Sequence, residues 1–258
     1  MATPLSLRVF EAEARVYRRQ WRGSLFSTFF NPVLYLLAMG VGLGTLVDAN
    51  RPGGVEGVEY LTFLAPGLLA ASAMQAGAGE GSYKVMAGIR WVKTYHARLA
   101  TPIGIPALVL GHMLWAAARV TMVSVAFAVA IVAFRVGPVW QTMAAVGPAV
   151  LTGTAMAAFS TSLTARLKSP TGLAMLFRFV VIPMFLFSGA FFPVSQLPDW
   201  MEWLAYVTPL FHGVELCRAI VVGTTPAVAA WVSLAYLGAW VVGFTLLARR
   251  PFQKQLKP

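Results

Sequence analysis

Residues 185–223 read FLFSGAFFPVSQLPDWMEWLAYVTPLFHGVELCRAIVVG. The stretch opens as an apolar helix and breaks at Ser188-Gly189. Pro183, Pro193, Pro198 and Pro209 punctuate it, and each disfavours an uninterrupted helix. It stays apolar nonetheless, through Phe191, Phe192, Leu197, Trp200, Trp203, Leu204, Tyr206, Leu210 and Phe211. Trp and Tyr at this density suit a membrane interface, where a ring buries its body and wets its polar edge. A kinked apolar segment too broken to span reads as a re-entrant helical hairpin, here 191–223, shielded by protein or lining a cavity.

The rest of the chain fits that setting. Of 258 residues, 58% are hydrophobic and 11% charged, where a soluble globular chain carries about 25% charge. The expected fold is an all-α membrane protein with six transmembrane helices, at 25–47, 60–81, 104–134, 139–165, 169–190 and 224–248. The apolar runs are continuous rather than alternating, which excludes a transmembrane β-barrel. One cysteine, Cys217, excludes an internal disulfide and gives no metal site. No cleavable signal peptide is expected, because five arginines precede the first apolar run.

Residues 5–22 are too charged to span. At about 100° per residue, Arg8, Glu11, Arg15, Arg18, Arg19 and Arg22 share one side of a helix. Leu5, Val9, Val16, Tyr17 and Trp21 share the other. That pattern predicts an N-terminal amphipathic interfacial helix with arginines toward anionic headgroups; a basic topogenic tail is the plainer alternative. Gly77–Lys84 has the glycines of a phosphate loop but lacks the Gly-Lys-Ser/Thr ending and a preceding strand, and reads as a flexible helix end. The span at 139–165 is rich in Ala, Gly, Thr and Ser, as suits a helix buried among others.

The basic residues set the topology. With the N-terminus inside, the inner segments hold Arg8, Arg15, Arg18, Arg19, Arg22, Lys84, Arg90, Lys93, Arg98, Arg166, Lys168, Arg249, Arg250, Lys254 and Lys257, fifteen of the 20 basic residues, and the outer loops hold Arg51 and Arg135. Both termini are therefore expected in the cytoplasm and the Trp-rich hairpin outside. The net charge of +11 is a membrane signature in this distribution, with no nucleic-acid partner implied.

Catalytic chemistry is sparse. His96, His112 and His212 are scattered without metal-ligand spacing, and nothing resembles a nucleotide site. Arg119 and Arg178 lie within expected spans, where a cation faces protein or water, or snorkels to the surface. His212, Glu215 and Arg218 are three residues apart and share a helix face. They read as a polar outer gate, or as an ion pair that only neutralises charge.

Several motifs in and around this region resemble the ABC-2 type permeases, the membrane subunits of ATP-binding-cassette exporters. They are Phe187-Ser188-Gly189, Phe192-Pro193-Val194-Ser195, Leu197-Pro198-x-Trp200 and Pro209-Leu210-x-His212-Gly213-Val214-Glu215-x-x-Arg218. Asn31-Pro32-x-x-Tyr35 and Leu99-Ala100-Thr101-Pro102 fit the same pattern. The flavour is that of the nodulation-factor and daunorubicin exporter branch. The resemblance implies a transport subunit in a prokaryotic inner (plasma) membrane, without a cofactor of its own. ATP and Mg would be bound by a partner ATPase in two copies, beneath two permease copies or this chain plus a related one. The cargo would be an amphipathic drug, lipid or lipid-linked glycan, met among membrane lipids. The loop 82–103 would form a short helix over Val85–Arg98 that receives the ATPase, through Ile89, Arg90, Trp91, Lys93, Tyr95 and Arg98; a merely topogenic loop is the alternative. Phe192, Pro193, Trp200 and Trp203 would stand with His212, Glu215 and Arg218 at the outer gate. An ion-coupled secondary carrier, with Glu215 as the membrane carboxylate, and a non-transporting scaffold are the competing classes.

Overall fold

The computed structural model describes residues 4–51 and 53–256, except for the side chains at 22, 24–27 and 29. The expected places of Arg22 on the amphipathic face and of Lys257 in the inner charge cluster lie outside that description. Apart from one isolated bridge, Val55–Val58, the described residues form helices, turns and bends. In chain order the helices are α1 (Leu5–Tyr35), α2 (Gly44–Asn50), α3 (Tyr60–Met86), α4 (Thr94–Leu99), α5 (Ile105–Ala133), α6 (Val139–Thr164), α7 (Thr171–Leu176), α8 (Ile182–Phe187), α9 (Asp199–Tyr206), α10 (Pro209–Val222) and α11 (Ala230–Leu256). Wider π-helical turns join α1 to α2 at Leu36–Leu43, extend α3 through Ala87–Trp91 and join α7 to α8 at Phe177–Val181.

Among the described residues, five helices are long and apolar enough to cross a membrane: Phe30–Asn50, Tyr60–Trp91, Ile105–Ala133, Val139–Thr164 and Ala230–Leu256. A sixth is counted if α9 and α10, bent by 82°, form one broken span. Thr171–Phe187, in the place of the expected fifth span, is a shorter apolar helix of about 26 Å at 1.5 Å per residue.

Four expected boundaries move. The N-terminal segment is not a separate helix, because helical backbone runs unbroken from Leu5 to Asn50 and the apolar window begins at Phe30. The second span extends ten residues past Gly81, so the loop expected at 82–103 shrinks to the piece carrying α4. The last helix begins at Ala230 rather than Thr224 and continues through Arg249 and Arg250 to Leu256. Charge limits insertion into lipid but does not stop helical hydrogen bonding, so the helices outrun their apolar windows.

The helix α6 stands among α3, α5, α10 and α11. Its small side chains permit this: Ala145, Ala149, Thr152, Gly153, Ala157, Ser160 and Thr161 are all buried. Gly77 of α3 lies against the backbone of Gly153, so closely that a Cβ at position 77 would meet the Gly153 carbonyl. The flexible glycine-rich helix end expected at Gly77–Lys84 is instead a helix packed against α6, and its glycines serve close approach. The main core gathers Phe63, Leu64, Leu68, Leu69, Met74, Phe127, Ile131, Met156, Leu210 and Val214. A second core, Val9, Val85, Ile89, Tyr95, Leu108 and Phe252, closes the other end of the bundle.

Candidate functional site: a charged seat for α4 and a latched bend at α9–α10

At the end of the bundle where α4 lies, a chain of ion pairs crosses four helices. Glu13 of α1 is buried, with one carboxylate oxygen 2.7 Å from Lys84 Nζ and the other 2.7 Å from an Arg98 guanidinium nitrogen. Lys84 also stands 3.4 Å from Glu80, and Glu80 accepts from Arg119 Nε at 3.4 Å. Aromatic rings flank the chain: Lys84 lies over Trp115 at 4.6 Å and Arg119 over Tyr17 at 4.3 Å, and Phe10 and Tyr17 both pack on Trp115. Burial by itself would raise the Glu13 carboxyl. The attraction of Lys84 and then Arg98 outweighs it and holds the group below its ordinary value.

This network seats α4. Tyr95 is buried, with its hydroxyl 3.3 Å from His112 Nδ1, and His112 Nε2 is 3.5 Å from Thr161 Oγ1. Burial pushes the Tyr95 phenol far up, so it stays a donor. Both hydroxyls can donate or accept, so either tautomer of the ring bridges Tyr95 to Thr161.

The six residues expected to face an ATPase therefore divide. Ile89, Tyr95 and Arg98 point into the protein, while Arg90, Trp91 and Lys93 point out. Trp91 is 51% exposed, Val92 is 68% exposed, and His96 joins them on the open side. The expected single helix over Val85–Arg98 is broken at Lys93, which adopts the left-handed conformation at φ 58° and caps α4. Arg90 Nη2 donates to Gln255 Oε1 at 2.6 Å, joining this face to the end of α11.

The residues expected at an outer gate fall into three surroundings. Trp200 and Trp203 stand exposed on α9. Phe192 and Pro193 line a 420 Å³ cavity with Leu46, Arg51, Val55 and Tyr60. His212, Glu215 and Arg218 lie on α10, where each hydrogen-bonds to backbone. Arg218 is buried against the Phe63 ring at 3.8 Å and donates to the Gly189 carbonyl at 2.8 Å and to Glu215 Oε1 at 3.2 Å. Glu215 Oε2 accepts from Ala227 N–H at 2.9 Å. Gly189 sits at φ +84°, a conformation other residues rarely adopt.

The α9–α10 bend is also satisfied. Thr208 Oγ1 donates to the Ala205 carbonyl at 2.8 Å and accepts from Phe211 N–H at 3.3 Å. His212 Nε2 meets the Tyr206 carbonyl at 3.0 Å, and Tyr236 donates to the Val207 carbonyl at 2.5 Å. A carbonyl only accepts, so Nε2 carries the proton, and in the neutral ring Nδ1 accepts from Ser233 Oγ at 3.0 Å. Pro209, without an N–H, opens α10. Three successive carbonyls at the break thus find side-chain donors.

Of the two expected intramembrane cations, Arg119 belongs to the ion-pair chain. Arg178 sits exposed beside Phe179, and no acidic group lies within ion-pair distance of it among the described residues. Sequence reasoning overlooked Glu13 and Glu80. Glu13 recurs four residues after Val9, on the stripe that is buried, and Glu80 one helical turn before Lys84.

The family model of the ABC-2 type transporter matches residues 7–222. The chain is 32% identical over 237 residues to "Nodulation protein J" of Rhizobium meliloti (strain 1021), covering 91% of this chain and 87% of that protein. It is 34% identical over 200 residues to the protein of that name from Rhizobium leguminosarum bv. trifolii, covering 78% and 74%. It is 32% identical over 219 residues to that of Rhizobium leguminosarum bv. viciae, covering 84% and 82%.

Proposed function

The chain belongs to the ABC-2 type transporter family, and from that premise we propose that it works as an exporter's permease driven by ATP hydrolysis on a separate chain, with α4 as the coupling element. The observation that carries this is the two-sided character of residues 89–98. One side, Tyr95 and Arg98, is bound to α1, α3 and α5 through Glu13 and His112. The other side presents Trp91, Val92, Lys93 and His96 to solvent. An element gripped by several spans and bearing an exposed aromatic among cations transmits force from a docked partner to those spans. Aromatic residues are frequent energetic anchors of such contacts.

Arg178 supports the second part of the proposal, a permease of two copies. A cation on the exposed face of an apolar helix needs protein or water beside it, and a second copy with a polar path between the two supplies both. Cargo would be amphipathic, a drug, lipid or lipid-linked glycan, in keeping with relatives named for nodulation. It would leave from the cytoplasm or inner leaflet of a bacterial inner membrane.

Trp91→Ala tests the coupling. With the ATPase subunit co-expressed, the variant permease should insert and fold normally but bind the ATPase about tenfold more weakly, consistent with roughly 1–2 kcal/mol for one anchor. ATP-dependent export from inside-out vesicles should fall in parallel. Wild-type docking and export by this variant would remove α4 from the coupling role. Transport driven by a proton gradient without any ATPase would favour the ion-coupled carrier.

A further inference from the structure

At the α4 end of the bundle a cavity of 390 Å³ opens between the turn that extends α3, the turn after α6 and the end of α11. Four cations line it, Arg90, Arg166, Lys168 and Lys254, with Gln255 beside them. No carboxylate lines it, and among the described residues none lies within ion-pair distance of any of the four. Ala165, in its wall, shares the second core with Ile89, Tyr95 and Phe252, so the cavity lies beside the seat of α4. Arg90 is held there by its bond to Gln255 at 2.6 Å and keeps further N–H donors to give.

Like charges gathered from three separate elements repel one another, and an anion among them relieves that repulsion. The end of α11 shows which kind of anion. Val242, Leu246, Arg250 and Lys254 recur every four residues and share one face, and all four are exposed. Arg250 and Lys254 stand about 6 and 12 Å beyond Leu246 along the helix. That face runs from bare hydrocarbon to bare cations within a few turns, the order of acyl chain and headgroup in a lipid. A soluble phosphate or nucleotide leaves the apolar half unused. A protein partner fits less well, because protein interfaces are depleted in Lys and enriched in aromatic residues. No aromatic ring lines this cavity, whereas Trp91 stands on the open side of α4.

We propose that this cavity binds the headgroup of an anionic phospholipid, its phosphate among Arg90, Arg166, Lys168 and Lys254 and an acyl chain along Val242 and Leu246. Four cations without a carboxylate favour a head with two phosphates, as in a diphosphatidylglycerol, over a head with one. Basic pockets between spans take such heads. A bound head ties the ends of α3, α6 and α11 together beside α4 and stabilises the folded bundle by mass action. The site belongs to the permease by itself and goes beyond the exporter reading.

The test uses the full chain, without an ATPase, in nanodiscs of phosphatidylethanolamine to which tetraoleoyl cardiolipin or phosphatidylglycerol is added at equal phosphate. Native mass spectrometry of the released permease counts retained lipid, and a melting curve reads stability. Cardiolipin should be retained and raise the Tm, phosphatidylglycerol less so, and phosphatidylethanolamine not at all. Arg166→Gln/Lys254→Gln should weaken cardiolipin retention about thirtyfold, about fivefold for each cation lost near a membrane surface. The control pair Arg18→Gln/Arg19→Gln removes equal charge from exposed positions of α1 and should leave retention unchanged. Excess inorganic phosphate should neither displace the lipid nor raise the Tm. Equal loss from both pairs would show diffuse surface charge in place of a site. Stabilisation by inorganic phosphate would show a small-anion site without lipid. Equal retention of all three lipids, or a cavity variant that keeps its cardiolipin and loses only its hold on the ATPase subunit, would likewise overturn the lipid site. If the double variant fails to fold, Lys168→Gln, with a loss of about fivefold, decides. A chain that shows the cardiolipin pattern yet exports nothing with its ATPase overturns the exporter reading and leaves the site standing.

Discussion

Glu13 is the residue on which the α4 end of the molecule turns. Its two oxygens hold two cations from two different elements, Lys84 of α3 and Arg98 of α4. Removing one charge from a buried pair leaves its partners uncompensated, at about 3–5 kcal/mol; Glu80 beside Lys84 softens this to the lower end. Glu13→Gln should therefore lower the thermal stability of the purified permease by roughly 3 kcal/mol. The effect depends on pH in a defined sense. Because the folded carboxyl is held below its ordinary value of 4.5, its contribution is complete above that value and is lost as pH falls through the depressed folded value. Melting curves of both proteins should lie a constant distance apart from pH 7 to about pH 5 and converge only in stronger acid. A gap that stays open at pH 2 would show that the ion pair is not its source.

The contact of α3 with α6 depends on the absence of side chains at one point of the element. A Cβ on Gly77 would strike the Gly153 backbone, whereas Gly79, on the same helix, has open space around its Cβ direction. Gly77→Val should therefore destabilise the bundle by about 1–3 kcal/mol or more, the range for overpacking a dense interior. Gly79→Val should be close to neutral. Size-exclusion profiles after a heating step separate the two cases, and equal loss from both would point to helix propensity rather than close approach. The same element carries Glu80 and Lys84, so a shift of α3 against α6 also displaces the charges that seat α4.

Across the whole molecule, the placement of charge predicts the orientation. The segments expected inside carry the bulk of Lys and Arg, and the connections expected outside carry Arg51 and Arg135. Ala49, Gln196 and His96 are all exposed, and the native Cys217 is buried and gives little background. Single cysteines at Ala49 and Gln196 should react with a membrane-impermeant maleimide added to intact cells. A cysteine at His96 should react only after the membrane is opened. Protection of Gln196 with ready labelling of His96 from outside would invert the molecule and place α4 beyond reach of any cytoplasmic ATPase.

The sequence alone carried the class of this protein: low charge, long apolar runs and uneven placement of Arg and Lys are properties of single positions and their neighbours, and they suffice for an all-α membrane chain, while the ABC-2 type was legible only through the resemblance of motifs such as those at 187–218. The break at Thr208-Pro209 was legible for the same reason, since proline acts on its own helix. The partners of buried groups were not. Glu13 went unremarked among the arginines of a basic segment, and only the packing of α1 on α5, within reach of α3 and α4, makes it the anchor of Lys84 and Arg98. Arg218 and Glu215 are close in sequence, yet their further bonds reach Gly189 and Ala227, 29 and 12 residues away. The division of 89–98 into a gripped side and an open side was equally hidden, because the turn at Lys93 replaces the helical period that would have assigned the faces. Local chemistry fixes which segments enter a membrane. Which polar groups meet there depends on how helices far apart in the chain pack side by side, and that is decided only by the folded bundle.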